Sequence, residues 1–231
     1  MNETHAFDPP AVPSLPIRAT DLVFPVRRIY CVGRNYAAHT REMGGNPDRE
    51  FPFFFSKPAD AVTGGGEMSF PLATEDLHHE VELVIAVAGH GSGLGPEACR
   101  ELIYGYAVGV DLTRRDLQRE ARDRGRPWDM AKGFDRSAPC SAIAPVSEVG
   151  HPRSGSIGLE VNGRARQHAD ISDLIWSPEE ILVHLSKLVA LAPGDLVFTG
   201  TPAGVGQLVR GDAYRAWITG VGEVAGRVIG S

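Results

Sequence analysis

The sequence predicts a single β-rich α+β domain, and three observations support this fold class. Short apolar runs bounded by Gly, Pro and Asp recur along most of the chain, which is the pattern of strands joined by turns. The 27 glycines and 17 prolines fit many short elements. Hydrophobic residues make up 42% of the 231 residues, so a sizeable core is expected, and no internal repeat or linker divides it.

The predicted elements begin with a proline-rich N-terminal arm over residues 1–25, and one domain is expected over residues 26–231. A hairpin is predicted over residues 157–167, because Asn162–Gly163 is a preferred two-residue type I′ turn. Strands are predicted over residues 28–32, 51–62, 77–87, 104–110 and 196–201. Helices are predicted over residues 33–45, 96–103, 111–125 and 177–191, the last with Ser177 as N-cap, Pro178 as first residue and Glu180 closing a capping box.

Charge and composition exclude several classes of function. The net charge is −6 and no basic block is present, so nucleic acid is not expected as a partner. No run of about 18 apolar residues predicts a membrane span, and the N-terminus has no signal-peptide pattern. The widely spaced Cys31, Cys99 and Cys140 offer neither a disulfide framework nor a CxxC zinc site. Free thiols and a cytoplasmic location are therefore expected.

The stretch LHHEVELVIAV, residues 77–87, carries two carboxylates on one predicted strand face. Glu80 and Glu82 are two residues apart, so their side chains point the same way, where like charges repel unless a cation lies between them. Asp111 directly follows the apolar strand YGYAVGV and is a third candidate. Three carboxylates suit Mg²⁺ or Mn²⁺. The alternatives are an exposed glutamate face paired with Lys or Arg, and Asp111 as an N-cap.

Histidines and other polar residues add further candidates, each with a plain alternative. His78 and His79 admit a zinc site, but adjacent strand residues point opposite ways, so at most one joins the glutamates. His39 and Glu42 are three apart, which on a helix makes a carboxylate-oriented general base or an exposed pair.

Lys132 is predicted in a loop, where a surface lysine is the alternative to a functional one. Arg115 and Gln118 are three apart on the helix after Asp111, and either bind a substrate carboxylate or are solvated. TGTPAGVG, residues 199–206, lacks the lysine of a phosphate loop but can present backbone N–H groups and the Thr201 hydroxyl to a small ligand.

The order of these motifs is more specific than any one of them. GRNYAAH with Glu42, EVE, Asp111 with RDLQ, AKGFD and TGTPAGVG occur in this order. Together they resemble the fumarylacetoacetate hydrolase family, in its short single-domain branch, over about residues 26–231. The opening RRIYCVGRNYAAHTREMG with PFFFSKPADAV most resembles bacterial members that hydrolyse fumarylpyruvate in gentisate degradation.

The resemblance implies a mixed β-sandwich roll, a homodimer and a role for each matching residue. It assigns Mg²⁺ or Mn²⁺ ligation to Glu80, Glu82 and Asp111, and catalysis to His39, Glu42 and Lys132. It assigns contacts with the keto-acid end of a substrate to Arg115, Gln118 and Thr201. Arg34 is our candidate for a distal substrate carboxylate.

The implied reaction is metal-dependent hydrolysis of a carbon–carbon bond in a small 2,4-dioxo acid. Fumarylpyruvate, giving fumarate and pyruvate, is the first expectation. Oxaloacetate decarboxylation and a general acylpyruvase activity use the same residues and are the alternatives among enzymes. A non-catalytic metal-binding module is the alternative from another class.

Overall fold

A computed structural model describes residues 5–37 and 51–230. Over these residues the predicted β-rich α+β class is confirmed. The strands are β1 (Ser14–Pro16), β2 (Val23–Pro25), β3 (Arg28–Gly33), β4 (Phe53–Lys57), β5 (Val62–Thr63), β6 (Gly66–Ser69), β7 (Leu77–His79), β8 (Val81–Val87), β9 (Ile103–Val110), β10 (Thr113–Arg114), β11 (Ala138–Pro139), β12 (Ala144–Pro145), β13 (Ser156–Val161), β14 (Arg164–Asp170), β15 (Asp195–Phe198), β16 (Gly206–Leu208), β17 (Ala213–Ile218) and β18 (Gly222–Ile229). The described α-helices are α1 (Pro96–Glu101), α2 (Arg115–Asp123), α3 (Asp129–Lys132), α4 (Val146–Val149) and α5 (Pro178–Ser186), and 3₁₀ turns cover Ala59–Ala61 and Ile171–Asp173.

Two mixed sheets of the described residues pack against each other. One has the strand order β12-β9-β8-β15-β3-β4, and the other has the order β14-β13-β17-β18-β6. A three-stranded sheet, β10-β7-β16, and the pairs β1-β2 and β11-β5 complete the described strands. None of the described helices is long and apolar enough to cross a membrane.

Both faces of the six-stranded sheet are covered, and its central strand β8 is therefore buried along its whole length. Leu83 and Ile85 of that strand face the five-stranded sheet, in a cluster that also contains Leu159 and Leu182. Val84 and Ala86 belong to a second cluster with Leu15 and Phe24 of the β1–β2 hairpin and other residues. The proline-rich segment thus contributes two strands to the rear face of the sheet, while the domain boundary at residue 26 stays a prediction.

Buried charge fastens the first strand of the sheet to a strand late in the chain. β3 pairs in parallel with β15, with Arg28 opposite Asp195. Asp195 is fully buried, and its carboxylate accepts from Arg28 at 3.0 and 2.7 Å and from Arg27 at 3.1 Å. The hydrogen bond to Asp195 raises the pKa of Arg28 against the opposing effect of burial. The two arginines therefore stabilise the buried Asp195 carboxylate, which would be destabilised in an apolar interior without them.

Two local predictions are confirmed, and one helix is shorter than predicted. Asn162 and Gly163 both have positive φ, as a type I′ turn requires. The Ser177 hydroxyl caps α5 in a capping box with Glu180. The helix ends at Ser186, not at residue 191, because Leu191 pairs with Gly91 through two backbone hydrogen bonds and draws the chain into an extended path.

The feature that positions the functional residues is a break shared by three neighbouring strands. β9, β8 and β15 lie side by side in the six-stranded sheet. Each is joined by a short segment to a strand of the three-stranded sheet, β9 to β10, β8 to the preceding β7 and β15 to β16, and these lie side by side in the same order. The residues at this break are Glu80, Asp111–Leu112 and residues 199–205. We call these residues the sheet break. Glu80 and Asp111 at this break lie close to each other and to Glu82 of β8.

Candidate active site

Three carboxylates meet at the sheet break. One ligand oxygen from each of Glu80, Glu82 and Asp111 lies within 4.8 Å of the others, and all three residues are buried. The continuous strand predicted over residues 77–87 is wrong at Glu80, which separates β7 from β8 where the chain passes between two sheets. Glu80 nevertheless lies beside Asp111, because its carbonyl accepts a hydrogen bond from the Asp111 N–H at 2.8 Å.

The exposed glutamate face and the Asp111 N-cap are both wrong, although Glu80 does pair with a lysine and an arginine, Lys132 and Arg115. The glutamates do not lie on an exposed face, since Glu80 is 5% and Glu82 is 2% exposed. Asp111 does not cap the following helix, because α2 begins four residues later with Arg114 in the N-cap position. The Asp111 side chain points instead to two lysine ammonium groups, one per carboxylate oxygen.

Lys132 bridges two of the carboxylates. Its Nζ donates to Glu80 Oε2 at 2.9 Å, to Asp111 Oδ2 at 2.6 Å and to Thr113 Oγ1 at 2.7 Å. Both the predicted loop and the surface alternative are wrong, because Lys132 ends the short helix α3 and is 2% exposed. Burial acts to lower its pKa, but the charges of Asp111 and Glu80 outweigh burial and raise it, so the ammonium is stable here.

A second buried lysine, Lys57, was missed by the sequence analysis. Its Nζ lies 2.8 Å from Asp111 Oδ1 and donates to the carbonyls of Leu112 and Lys132. A compositional signal was available. The chain has only three lysines against twenty arginines, so a lysine is the uncommon choice of cation. Two of the three, Lys57 and Lys132, are buried together at this site.

We expect Lys57→Met to lower the free energy of unfolding by about 3 kcal/mol, because it removes one partner of a buried carboxylate. Asp111 retains Lys132, which keeps the loss near the lower end of the usual range for broken buried pairs. Urea unfolding is the measurement, and Lys187→Met, at the exposed third lysine, is the matched control. Equal stability of the two variants would contradict a structural role for the Lys57 ion pair.

Glu82 lacks the cation that its two neighbours have. Its Oε2 accepts from Gly200 N–H at 2.6 Å, and no Lys or Arg of the described chain lies within ion-pair distance of it. Burial, followed by repulsion from Asp111 and Glu80, raises the pKa of the Glu82 carboxyl well above its ordinary value. A set of three carboxylates, of which Glu82 has no ion-pair partner among the described residues, fits a hard divalent cation such as Mg²⁺ or Mn²⁺.

The glycine that holds Glu82 is required by its backbone. Gly200 has a φ of 98°, and a Cβ there would lie 2.7 Å from the Cβ of Asn35. Asn35 in turn donates its side-chain amide to the Thr199 carbonyl at 2.8 Å and to the Trp176 carbonyl at 2.9 Å. Asn35 therefore holds the start of the TGTP segment in place, in the position where the Gly200 N–H donates to Glu82.

Arg115 and Gln118 lie together beside the carboxylates. The Arg115 guanidinium donates to Glu80 Oε1 and to Gln118 Oε1, and its Nε donates to His78 Nδ1 at 3.4 Å. Both residues are buried, so the solvated alternative is wrong. The prediction that they share a helix face holds, since both lie in the first turns of α2.

Neither histidine of the HHE stretch joins the carboxylates. His78 Nε2 pairs with Asp76 at 2.8 Å, and His79 Nδ1 pairs with Gln167 Oε1 at 3.0 Å. Burial lowers the pKa of His79 to about 4, so its imidazole is neutral. Among the residues that the structure describes, the group with metal-ligand geometry contains carboxylates alone.

A cavity opens onto the carboxylates. The predicted substrate-contact residues Arg34, Arg115, Gln118 and Thr201 all line it, and Arg34 adopts a positive φ of 59°. The remaining lining is Val32, Gly33, Phe53, Phe55, Glu80, Glu82, Asp111, Arg119, Arg122, Trp128 and Lys132. Aromatic rings and arginines thus surround an anionic centre. The predicted pair of His39 and Glu42 lies outside the described residues.

Comparison with known proteins assigns the chain to a protein family. The model of the fumarylacetoacetate (FAA) hydrolase C-terminal region matches residues 28–229. The chain belongs to the fumarylacetoacetate hydrolase family. The chain is 52% identical in sequence to fumarylpyruvate hydrolase from Pseudomonas aeruginosa, whose crystal structure was determined in complex with Mn²⁺ and pyruvate. It superposes with a TM-score of 0.96, over 99% of this chain and 100% of the other. The predicted fold of the family is thereby confirmed.

Two relatives by sequence give different activities. Fumarylpyruvate hydrolase from Ralstonia sp is 44% identical over 177 residues, 76% of this chain and 92% of that protein. Oxaloacetate tautomerase FAHD1, mitochondrial, from Mus musculus is 39% identical over 196 residues, 84% of this chain and 88% of that protein. Membership of the fumarylacetoacetate hydrolase family therefore leaves more than one reaction on a keto-acid substrate to be considered.

Proposed function

We propose that this chain is a divalent-metal-dependent hydrolase that converts fumarylpyruvate and water to fumarate and pyruvate. The observation that carries the proposal is the buried carboxylate group at the floor of an arginine-lined cavity. The fumarylpyruvate hydrolases among its relatives, at 44% and 52% identity, support an enzyme acting on carbon–carbon bonds. They also argue against a non-catalytic metal-binding module.

Glu80, Glu82 and Asp111 are the proposed ligands of Mg²⁺ or Mn²⁺. A bound divalent cation polarises carbonyl oxygens and stabilises the negative charge that develops when a carbon–carbon bond breaks. The charges at the site support an anionic substrate. The three carboxylates are balanced by Lys57, Lys132 and Arg115, so a dication creates an excess positive charge that a dicarboxylic keto acid neutralises.

The other predicted residues receive roles that match their positions. Arg115, Gln118 and Thr201 hold the keto-acid end, because they border the carboxylates and line the cavity. Lys132 places an ammonium beside the same point, where it stabilises an oxyanion. His39, oriented by Glu42, removes the proton from the attacking water. Arg34 binds the distal carboxylate of the fumaryl group, and Arg119 and Arg122 also line the cavity.

The second candidate is oxaloacetate tautomerisation, and the mouse relative is the observation that favours it. Oxaloacetate carries the same 2-oxo acid end, so the contacts of Arg115 and Thr201 serve either substrate. The reactions differ in the fate of water, since tautomerisation moves a proton without cleaving a bond. Oxaloacetate decarboxylation and a general acylpyruvase activity are further alternatives that the same site supports.

Pyruvate release from fumarylpyruvate, acetylpyruvate and oxaloacetate, with Mg²⁺ or Mn²⁺ and with EDTA, tests the proposal. We expect fumarylpyruvate to be preferred, with activity lost in EDTA and restored by added metal. Equal rates with acetylpyruvate would contradict the role of the arginines. Conversion of enol to keto oxaloacetate, followed by ultraviolet absorbance, as the fastest reaction would replace the hydrolase with the tautomerase.

A place in gentisate degradation, a homodimer and a cytoplasmic location complete the proposed function. They rest on the resemblance and on the buried free thiols of Cys31, Cys99 and Cys140. Light scattering on the purified protein measures the mass of the assembly, and a mass near 25 kDa would contradict the dimer.

A further inference from the structure

A buried glutamine outside the predicted site connects two of its parts. Gln167 lies in β14 of the five-stranded sheet and is 1% exposed. Its Oε1 accepts from Val81 N–H at 3.1 Å, between the two glutamates of the carboxylate group. Its Nε2 donates to Thr201 Oγ1 at 2.8 Å and to the Pro202 carbonyl at 2.9 Å. One amide therefore links the metal-ligand segment to the TGTP segment.

The orientation of this amide is fixed by two groups that each have a single role. The Val81 N–H can only donate, so the atom facing it must be the amide oxygen. The Pro202 carbonyl can only accept, so the atom facing it must be the amide nitrogen. Turning the amide over would place donor against donor and acceptor against acceptor in a buried setting, which costs about 1–3 kcal/mol for each unsatisfied group.

This orientation determines what the Thr201 hydroxyl can do. A hydroxyl has one proton to donate, and Thr201 Oγ1 already accepts from Gln167 Nε2. No hydrogen-bond acceptor for the Thr201 O–H is found within residues 5–37 and 51–230, and Thr201 lines the cavity next to Glu82 and Lys132. Its proton is therefore available to a ligand oxygen in the cavity.

We infer that Gln167 is a positioning residue that commits the Thr201 hydroxyl to donating a hydrogen bond to an acceptor oxygen of the ligand. The ligand chemistry is a carboxylate or carbonyl oxygen at the keto-acid end, and in this respect the inference rests on the proposed function. Gln167 acts through Thr201 and does not touch the ligand. A ligand group with only protons to offer is rejected at this position, because it would face a donor.

His79 gives the inference a signature that needs no ligand. Its Nδ1 lies 3.0 Å from Gln167 Oε1, an atom that can only accept. The ring must therefore carry its proton on Nδ1 and leave Nε2 bare. Nε2 is buried, and it has no hydrogen-bond partner among the described residues, which agrees with this tautomer.

Pyruvate binding in the presence of Mn²⁺ tests the inference through a double-mutant cycle. The variants are Thr201→Val, which keeps the shape and removes the hydroxyl, Gln167→Met, which keeps the length and removes the amide, and both together. We expect each single variant to weaken pyruvate binding about tenfold, the effect of one hydrogen bond to a charged group. The double variant should bind no more weakly than Thr201→Val alone, because Gln167 then has no hydroxyl to orient.

Three further measurements separate this role from a merely structural one. The Mn²⁺ affinity of both single variants should remain within about twofold of the wild type, and Thr201→Ser should restore pyruvate binding. Additive losses in the double variant, or a parallel loss of Mn²⁺ binding, would overturn the inference. If Gln167→Met does not fold, ¹⁵N NMR of the wild-type His79 ring still decides, since a proton on Nε2 with Nδ1 bare would make Nδ1 an acceptor and reverse the amide. A wild type that binds Mn²⁺ but not pyruvate overturns both the inference and the proposed substrate class.

Discussion

Glu82→Gln will abolish metal-dependent turnover and weaken Mn²⁺ binding by more than about 100-fold. Loss of an outer-shell partner alone costs up to about that factor, and Glu82 is proposed as a direct ligand. The substitution keeps the size of the side chain and an oxygen that can accept from Gly200 N–H. Isothermal titration with Mn²⁺ gives the affinity, and pyruvate release gives the turnover.

Although Glu82→Gln is expected to lose metal affinity, its folding stability without metal is not expected to fall. Glu82 is a buried anion that repels Asp111 and Glu80 and lacks a described ion-pair partner, so removing its charge relieves desolvation and repulsion. Metal-free Glu82→Gln should unfold at a temperature no lower than the metal-free wild type. Glu67→Gln, an exposed glutamate in β6, is the matched control for both readouts. Full activity of Glu82→Gln would rule out the carboxylate group as the metal site.

His39→Ala should lower kcat by about 10²- to 10⁴-fold and leave Mn²⁺ affinity within about twofold of the wild type. The reason is that a general base contributes to proton transfer from water, whereas the carboxylates alone are assigned to the metal. Pre-steady-state and steady-state pyruvate release with saturating Mn²⁺ give the rate. His90→Ala, at an exposed histidine, is the control. Equal loss of turnover and metal binding would contradict the separate roles of His39 and the carboxylates.

The residues brought together at the site were predictable from where strands end. Glu80, Glu82 and Asp111 could be singled out because a carboxylate at the end of an apolar strand needs a partner. The break of three strands at one level was not predictable, because it depends on which strands are neighbours. Residues 77–87 carry an unbroken strand pattern, and only the pairing of β7 with β10 and β16 divides it.

Residues that support the site from other elements are only weakly marked in the sequence. Lys57 ends an edge strand next to a proline, and apart from the rarity of lysine in this chain nothing distinguishes it from a surface lysine. Gln167 lies in a strand of alternating polar residues, RARQHAD, where burial of one side chain is set by the sheet packed against it. The local sequence pattern was enough to identify the carboxylates at strand ends. The residues that orient them come from distant parts of the chain and are known only from the tertiary structure.

The parallel pairing of β3 with β15 has a consequence for how the protein acquires its site. The strands are separated by 167 residues, and the six-stranded sheet cannot close until most of the chain is available. Long-range parallel pairing of this kind slows folding and exposes apolar strand edges in the meantime. Because the TGTP segment directly follows β15, Gly200 reaches Glu82 only after that closure. A ribosome-bound chain that ends before residue 195 therefore carries all three carboxylates without the loop that completes their setting, and the site is acquired in the last steps of synthesis.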